Sequence, residues 1–325
     1  MLENPQGLRL GGQRRQITML ASDLRGFTAL SERISPEDVV KVLNLYLKYM
    51  ADVILQYRGT IDDYLGDGIT VLFGAPESRE DDATRAVACA IAMQLAMTEV
   101  NTKIMSWGFP ALEMGIGINT GEVVLGNIGS ERRTKYSAIG SQMNLVFRIE
   151  SYTVGRQIYI SESTLEAAGG SSVEVVGTQV VYPKGMQQPI MLYEVGGLGQ
   201  GYNLLLQQNP ECFLLLPQPI SLRYTILDGK QVQGPIFTGH LTELSARGAK
   251  VRCDGRDIPS PLVNVKLNLD PAPDVGAAQE DPDTDIYAKV MRGKDESFQI
   301  VFTMIPPLIE VKLRTIYTLM MAIRI

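Results

Sequence analysis

The sequence predicts an α+β protein of two units: a mixed β-sheet with helices, then a small β-barrel. Three observations predict it. From residue 17 to about 195, strand and helix patterns follow the order β, α, α, β, β, α, β. A glycine-rich stretch at 196–201, GGLGQG, marks a domain boundary. Beyond it, short strand patterns broken by proline and glycine indicate a barrel, and the chain ends in a predicted helix.

Length, composition and charge narrow the class of protein. The 325 residues are enough for two hydrophobic cores, and 45% of them are hydrophobic. The net charge of −6 and the pI near 5.1 argue against a nucleic-acid-binding surface, which normally shows as a basic patch. No apolar run reaches the roughly 18 residues of a membrane span. The N-terminus, MLENPQGLRLGGQRRQ, has no signal-peptide pattern, so we expect a cytoplasmic protein.

Histidine and cysteine usage bears on metal chemistry and redox state. His240 is the single histidine, which excludes a zinc site built from several histidines. Cys89, Cys212 and Cys253 have no CxxC spacing, so we expect them to be reduced residues that serve packing. An acidic protein that binds a polyphosphate needs cations to offset the repulsion.

The first elements are a strand that ends in an acid and a long amphipathic helix. Residues 17–24, ITMLASDL, form a β-rich apolar run with Asp23 at its end, and the glycine-containing turn RGFT follows. In the next segment Ser35 caps a helix, Pro36 occupies its first position and Gly59 closes it. Its apolar residues repeat at helical spacing, so this helix is scaffold.

Three acids crowd a predicted hairpin at residues 60–69, TIDDYLGDGI: Asp62, Asp63 and Asp67. One interpretation is a plain turn, because Asp-Gly supplies the positive φ angles of a tight type I′ connection. The other is a metal site. If Asp67 lies beside Asp23, the two carboxylates can hold two divalent ions, because Mg²⁺ takes one or two carboxylates plus substrate phosphates. The spacing alone leaves both interpretations open.

The rest of the first unit alternates between strands and helices. ITVLFGAP predicts a buried strand, and residues 78–108 predict an Ala- and Met-rich helix. LEMGIGINTGEVVLGNIG predicts a strand, a loop and a strand; its glycines are a weak dinucleotide-binding signal because no helix opens at them. Next come a strand TKYSAIG, a helix SQMNLVFRIESY, a strand QIYISES and a β-rich segment, which complete a mixed sheet with helices on one face.

Four segments, taken in order, resemble the successive motifs of one family. They are SDLRGFTALSERISPEDVV, GTIDDYLGDGITVLFGAP, EMGIGINTGEVVLGNIGSERRTKYSAIGSQMNLVFRIES and YPKGMQQPIMLYEV. From residue 17 to about 195 the chain therefore resembles the class III nucleotide cyclase catalytic domain. The resemblance implies a ferredoxin-like (palm-type) fold that forms a head-to-tail homodimer, with active sites at the dimer interface. The expected divisions are a lead segment (1–16), the catalytic domain (17–196), a linker (197–210) and a β-barrel domain (211–325).

The resemblance also implies roles for single residues. Asp23 and Asp67 match two metal-binding carboxylates, whose two Mg²⁺ or Mn²⁺ ions activate the ribose 3′-hydroxyl and hold the triphosphate. The backbone of Leu24 matches a further metal contact. Asn144 and Arg148 match the catalytic pair that orients the ribose and stabilises charge on the α-phosphate, and being four apart they share one helix face. The residues implied in phosphate binding are Arg25, Gly26, Phe27 and Thr28, through the backbone, and Lys184.

Two positions bear on the base of the nucleoside triphosphate. Adenylate cyclases of the family usually have a lysine four residues before the second metal aspartate, where this chain has Asp63. A carboxylate cannot donate to adenine N1 but can accept from guanine N1–H and the 2-amino group, which favours GTP. Ser137, the second specificity position, donates or accepts by rotating its hydroxyl and decides nothing alone. By strand parity we expect Asp63 at the site and Asp62 at the surface.

The resemblance favours an enzyme that forms a 3′,5′-cyclic purine nucleotide and pyrophosphate. One alternative is an adenylate cyclase that makes cAMP from ATP with an atypical base-reading position. A second is a catalytically silent cyclase homologue that binds nucleotide or a partner. A third is a dinuclear hydrolase, for which further histidines or carboxylates are missing.

The second unit resembles a different domain. GHLTELSARGAKVRC resembles the PilZ pattern, in which Asp/Asn-x-Ser-x-x-Gly and an upstream arginine pair bind cyclic di-GMP. Ser245 and Gly248 fit, but Glu243 replaces the Asp or Asn. The preceding segment CFLLLPQPISLRY has only Arg223, which we expect at the surface. We therefore expect a PilZ-like barrel that supports regulation or dimerisation and does not bind cyclic di-GMP.

Overall fold

The computed structural model describes residues 11–130, 133–183, 186, 188–199, 201–207, 211–227, 235–255, 258–269 and 284–323. The chain divides into two compact units, Met1–Gln208 and Asn209–Ile325. Among these described residues, no helix has both the length and the apolar composition needed to cross a membrane. The predicted α+β class and the C-terminal barrel are confirmed.

The first unit is built on a nine-stranded mixed sheet with the path β2-β3-β1-β4-β6-β8-β7; β5 pairs with β4 and β9 with β8. The strands are β1 Gly11–Arg25, β2 Thr60–Leu65, β3 Gly68–Phe73, β4 Glu113–Ser130, β5 Arg133–Ile139, β6 Ile158–Ser161, β7 Val173–Val181, β8 Ile190–Leu198 and β9 Leu204–Leu205. The helices are α1 Phe27–Ser31, α2 Pro36–Gln56, α3 Asp82–Ser106, α4 Ser141–Tyr152 and α5 Glu162–Ala167.

Helices lie on both faces of this sheet. Leu20 and Leu24 of β1 belong to the larger hydrophobic core, which includes α2 and α3. The alternate residues Met19 and Ala21 belong to a second core together with Val146 of α4. Because successive side chains of a strand point to opposite faces, α4 lies on the face opposite α2 and α3. The expectation of helices on one face was therefore wrong for α4.

Glycines allow the close packing of α4. A Cβ on Gly117 of β4 would lie 2.3 Å from the backbone nitrogen of Glu150 in α4, so only glycine permits this approach. Several glycines of β4 thus serve strand and helix packing. The predicted loop inside this segment was wrong, because β4 runs unbroken from Glu113 to Ser130.

Two further boundaries differ from expectation. β1 begins at Gly11 rather than residue 17, and it pairs with β4 along its whole length, from Gly11↔Asn127 to Arg25↔Glu113. The charged residues QRRQ had obscured this extension, because such side chains are typical of surface segments. In the expected linker, Leu204–Leu205 forms β9 and extends the sheet.

The start of α2 agrees with the sequence signals. Ser35 is its N-cap, and the Ser35 side chain accepts a hydrogen bond of 3.1 Å from the backbone N–H of Asp38. Pro36 occupies the first position, where its missing N–H costs nothing. Its buried residues, Val42, Tyr46, Met50 and Ile54, form one stripe.

The second unit is a closed six-stranded barrel with the path β10-β11-β12-β15-β14-β13. Its strands are β10 Leu214–Leu227, β11 Ile236–Leu244, β12 Gly248–Cys253, β13 Asn264–Leu269, β14 Ile286–Lys294 and β15 Ser297–Met304, and α6 Pro307–Ile323 follows. Closure pairs every strand on both sides and removes exposed edges. This architecture is compatible with the PilZ resemblance.

Candidate functional site

Two carboxylates meet where β1 ends beside the turn between β2 and β3. Asp23 lies near the end of β1, and Asp67 lies in the turn. β3 pairs directly with β1, which places the turn next to Asp23. The backbone N–H of Leu24 donates a 3.1 Å hydrogen bond to Asp67 Oδ2. Gly68 of β3 lies beside this carboxylate, because a Cβ there would be 3.6 Å from Asp23 Oδ1.

The two acids disfavour each other's ionisation. Burial raises the pKa of Asp67 to about 6, and the negative charge of Asp23 adds to this shift. Burial also raises the pKa of Asp23, while the Arg25 guanidinium opposes the change. Behind them Tyr46 is fully buried, and its hydroxyl contacts Met114 Sδ at 3.4 Å. Two adjacent carboxylates of this kind attract a cation, which removes their repulsion.

The donor set fits a hard divalent cation. Asp23 and Asp67 offer only oxygen ligands, which Mg²⁺ and Mn²⁺ prefer. Across the part of the chain that the structure describes, no group of three or more His, Cys, Asp or Glu residues is placed to hold a metal. Two carboxylates fit an ion that is completed by substrate phosphates rather than one enclosed by protein.

The Arg25 guanidinium points away from the turn that follows β1. It contacts Asp23 Oδ2 at 3.2 Å and Thr153 Oγ1 at 2.6 Å, and it forms an ion pair with the Glu150 carboxylate. It also donates a 3.0 Å hydrogen bond to the Glu150 carbonyl. Arg25 therefore ties the end of β1 to the end of α4, a role that its place in the sequence motif did not indicate.

The predicted phosphate-binding turn connects β1 to α1. Gly26 has φ 74°, a left-handed conformation that favours glycine, and it is the N-cap residue of α1. Phe27 is buried in the core, and Thr28 follows at the surface of the short helix α1. Lys184 lies outside the described residues, so its predicted role in phosphate binding has no structural counterpart here.

The predicted catalytic pair lies on α4. Met143, Val146 and Ile149 face the sheet, whereas Asn144 is exposed and Arg148 is half-buried. Within the described residues, no hydrogen bond or ion pair joins Asn144 or Arg148 to Asp23 or Asp67. The single chain thus presents the acids and the α4 pair as separate groups.

The base-specificity positions lie in a cluster of four side chains between β2 and β5. Asp62 Oδ2 accepts a 3.1 Å hydrogen bond from Ser137 Oγ. Lys135 Nζ lies 2.9 Å from Asp63 Oδ2 and 3.7 Å from Asp62 Oδ2. Burial raises the pKa of Asp62, and the Lys135 charge opposes that rise. Asp62 Oδ1 is buried and, among the described residues, has no hydrogen-bond partner.

The parity argument for the two acids was wrong. The Asp62 side chain is only 6% exposed, whereas that of Asp63 is 61% exposed. The cause is an irregularity in the β2–β3 pairing between Ile61 and Asp63, which makes Asp62 an extra, bulged residue. Asp62 therefore turns inward to Ser137. Lys135 was also missed; its spacing of two from Ser137 on one strand was the available signal.

The motif residues of the barrel are engaged with one another. Ser245 Oγ accepts a 2.9 Å hydrogen bond from the Gly248 N–H, and Ser245 is buried. Glu243 forms an ion pair with Lys250 at 2.9 Å. Arg223 lies on β10. The Ser-x-x-Gly segment thus closes its own turn between β11 and β12.

A family model described as "Adenylate and Guanylate cyclase catalytic domain" matches residues 12–196. The crystal structure of the guanylyl cyclase Cya2 is 61% identical, covering 61% of this chain and 100% of that one, with a TM-score of 0.60. The adenylyl cyclase CyaB from P. aeruginosa is 36% identical, covering 57% and 96%, with a TM-score of 0.56.

Among curated proteins, the terminal-differentiation-specific adenylate cyclase of Dictyostelium discoideum is 35% identical over 185 residues, which are 56% of this chain and 9% of that protein. The chain spans 9%, 29% and 37% of the length of three curated adenylate cyclases that it matches. The similarity therefore concerns one domain of these longer proteins.

Proposed function

The chain belongs to the family of adenylate and guanylate cyclase catalytic domains, and from that we propose that it converts a purine nucleoside triphosphate, preferably GTP, into a 3′,5′-cyclic nucleotide and pyrophosphate. In this reaction the ribose O3′–Pα bond forms, the bond from Pα to the bridging oxygen of pyrophosphate breaks, and the 3′-hydroxyl loses its proton. The Asp23–Asp67 pair is the observation that carries the proposal.

The pair serves this reaction as a cation-binding group. Asp23 and Asp67 would hold Mg²⁺ or Mn²⁺, which supplies activation of the 3′-hydroxyl and neutralisation of the triphosphate. The hydrogen bond from the Leu24 N–H holds one oxygen of Asp67 in place. Both carboxylates must be ionised to bind the cation, so the protonated fraction of Asp67 competes with it.

The second half of the site comes from α4 of another copy. Asn144 and Arg148 lie four residues apart on α4, and between them Phe147 is 44% exposed. Beside the acids, Leu65 of the β2–β3 hairpin is also exposed. A head-to-tail homodimer brings the α4 pair of one chain to the carboxylates of its partner and covers such apolar residues. Arg148 then stabilises charge on the α-phosphate, and Asn144 orients the ribose.

GTP is the preferred substrate in this proposal. The 61% identity to the guanylyl cyclase Cya2, over the whole of that chain, supports it. The exposed carboxylate of Asp63 supports it as well, because it accepts hydrogen bonds from guanine N1–H and N2–H, where adenine N1 has only a lone pair. Lys135, next to Asp63, brings a donor for guanine O6 into the same cluster.

The test uses the purified chain with each of the four nucleoside triphosphates in Mg²⁺ or Mn²⁺, and cyclic products are separated by chromatography. We expect cyclic GMP as the main product. Asp67→Ala should lower the rate by roughly a hundredfold or more, because stabilisation worth several kcal/mol is lost. Asp52→Asn on the exposed side of α2 is the matched control and should keep the wild-type rate.

If the wild-type chain forms no cyclic product and Asp23→Ala behaves in the same way, the proposal is refuted. The catalytically silent cyclase homologue is then the remaining alternative.

The preference for guanine over adenine is tested with a variant of its own. Asp63→Lys should lower kcat/KM for GTP roughly tenfold without lowering that for ATP, because a second ammonium joins Lys135. An unchanged GTP-to-ATP ratio would show that Asp63 does not read the base.

A further inference from the structure

We propose that Arg25 is a positioning residue for the metal site: paired with Glu150 of α4, it holds the Asp23 carboxylate in the orientation that binds the divalent cation. The inference deepens the proposed function and rests on it. Arg25 follows the metal aspartate by two residues in a motif whose backbone is expected to face phosphate. The geometry assigns its side chain a different task.

The hydrogen bonds and ion pairs of the Arg25 side chain lead to Asp23 and to the end of α4. Its guanidinium lies 3.2 Å from Asp23 Oδ2 and 2.6 Å from Thr153 Oγ1, and it pairs with the Glu150 carboxylate. The Arg25 and Glu150 side chains are only 18% and 13% exposed. A guanidinium with these partners is not free to turn toward a nucleotide phosphate.

The two oxygens of the Asp23 carboxylate have different functions in this arrangement. Oδ2 contacts Arg25, which leaves Oδ1, on the side of Gly68, for a cation. Arg25 pairs with both Asp23 and Glu150, so Asp23 is not the only counter-charge of the guanidinium. Without the Glu150 charge, Arg25 would neutralise Asp23 alone. Groups that orient a metal ligand in this way typically change metal affinity 10- to 100-fold when mutated.

Gly115 of β4 provides the space for this contact. A Cβ there would lie 2.2 Å from Arg25 Nη2 and 2.0 Å from Thr153 Oγ1, closer than any real Cβ contact. The side chain of Arg25 would have to move. Gly115→Ala therefore displaces the Arg25 side chain without changing any charged group. This variant tests the position of the guanidinium separately from its charge.

The competing assignment is direct phosphate binding by the Arg25 side chain. It predicts that Arg25→Ala raises KM for GTP at saturating Mn²⁺, because a ground-state contact to the triphosphate is lost. The positioning role predicts that KM for GTP at saturating Mn²⁺ stays within about twofold. Instead of the KM for GTP, the positioning role predicts a change in the Mn²⁺ concentration that the protein requires.

The experiment measures Mn²⁺ binding from the electron paramagnetic resonance signal of free Mn²⁺, with the 325-residue chain and 3′-deoxy-GTP, which lacks the attacking hydroxyl. Glu150→Gln and Gly115→Ala should each raise the half-saturating Mn²⁺ concentration about tenfold. Arg14→Gln is the matched control: it removes an exposed 3.0 Å ion pair to Glu122 that also joins β1 to β4. It should bind Mn²⁺ like wild type.

Wild-type Mn²⁺ affinity in Glu150→Gln, or a KM for GTP raised tenfold or more in Arg25→Ala at saturating Mn²⁺, overturns the proposal. If Arg25→Ala fails to fold, Glu150→Gln decides, because glutamine keeps an acceptor oxygen for Arg25. The Mn²⁺ titration does not depend on turnover. Wild type that binds Mn²⁺ with the nucleotide but forms no cyclic product therefore refutes the proposed function without refuting the role of Arg25.

Discussion

At the scale of single residues, burial and mutual repulsion make ionisation of the adjacent acids Asp23 and Asp67 unfavourable. Asp67 has a pKa raised to about 6 from the usual 3.8, through burial first and the charge of Asp23 second. A raised carboxyl pKa means that the folded state prefers the protonated form. The ionised form therefore lowers the stability of the metal-free protein as pH rises from about 4 through about 6.

Asp67→Asn should consequently stabilise the metal-free protein at pH 7.5. After allowance for solvent screening the gain is on the order of 1 kcal/mol, or a few degrees in Tm. The asparagine carbonyl still accepts the hydrogen bond from Leu24. Thermal unfolding in a chelator measures the difference, which should shrink toward zero below about pH 3, where Asp67 is protonated in both the folded and the unfolded state. A lower Tm for the variant at pH 7.5 would contradict this account.

The residue scale is also where prediction from sequence reached its limit. The types of residue at the site were identified from motifs, and the structure brings Asp23 to Asp67 as predicted. The orientation of Asp62 and Asp63 was not predictable from strand parity, because a bulge shifts parity by one and leaves no sequence signal of its own. The side-chain direction of Arg25 depends on Glu150, which lies 125 residues away.

At the scale of elements, the contact of α4 with β4 positions both groups of the proposed site. α4 carries Asn144 and Arg148 outward, and through Glu150 it contacts Arg25 of β1. Glycine at 117 allows this contact. The helix itself was predictable from its pattern. Its place on the second face of the sheet was not, because periodicity reports which side of a helix is buried but not against which layer it packs.

Gly117→Ala should therefore be strongly destabilising. The added Cβ would lie 2.3 Å from a backbone nitrogen of α4, so the whole helix must shift. Forced overpacking costs typically 1–3 kcal/mol, and cyclase activity should fall with it. Chemical denaturation measures the change. Gly170→Ala is the control, because nothing lies within 4 Å of a Cβ there. Equal stability of both variants would show that α4 is not held this closely.

At the scale of the whole molecule, the proposed function assigns the acids and the α4 pair to different halves of a catalytic site. This division makes the proposed homodimer testable with two inactive variants. Asp67→Ala removes a proposed metal ligand from one half of the site, and Arg148→Ala removes the proposed transition-state-stabilising group from the other half. A mixed dimer of the two would have one site with both defects and one site with none.

Mixing equal amounts of the two variants should restore about a quarter of wild-type activity, because half of the dimers are mixed and each has one intact site of two. The measurement is cyclic nucleotide formation after co-expression or after exchange of subunits. Activity that stays at the level of the separate variants would contradict a shared site. The control mixes the Asp67→Ala variant with a double mutant that carries both Asp67→Ala and Arg148→Ala. This mixture should remain inactive, because every site in it lacks the Asp67 carboxylate.

The two-unit organisation was largely predictable, because composition changes at the glycine-rich stretch and the cyclase motifs are long and ordered. The first strand was underestimated because its charged N-terminal half pairs with β4 at the surface. The barrel was predicted from its short strand patterns, but the pairing of β10 with β13 that closes it joins strands distant in sequence, which short patterns do not reveal.

The bulge at Asp62 has a consequence for how base preference can change in evolution. Loss of Asp62 alone would restore regular pairing, because Ile61 already pairs with Val71 and Asp63 with Thr70, and it would remove the buried hydrogen-bond partner of Ser137. Ser137 would then face a different neighbour, although no residue type at the site had been substituted. A one-codon deletion is thus a route to altered nucleotide selectivity that comparisons of aligned residue identities would overlook.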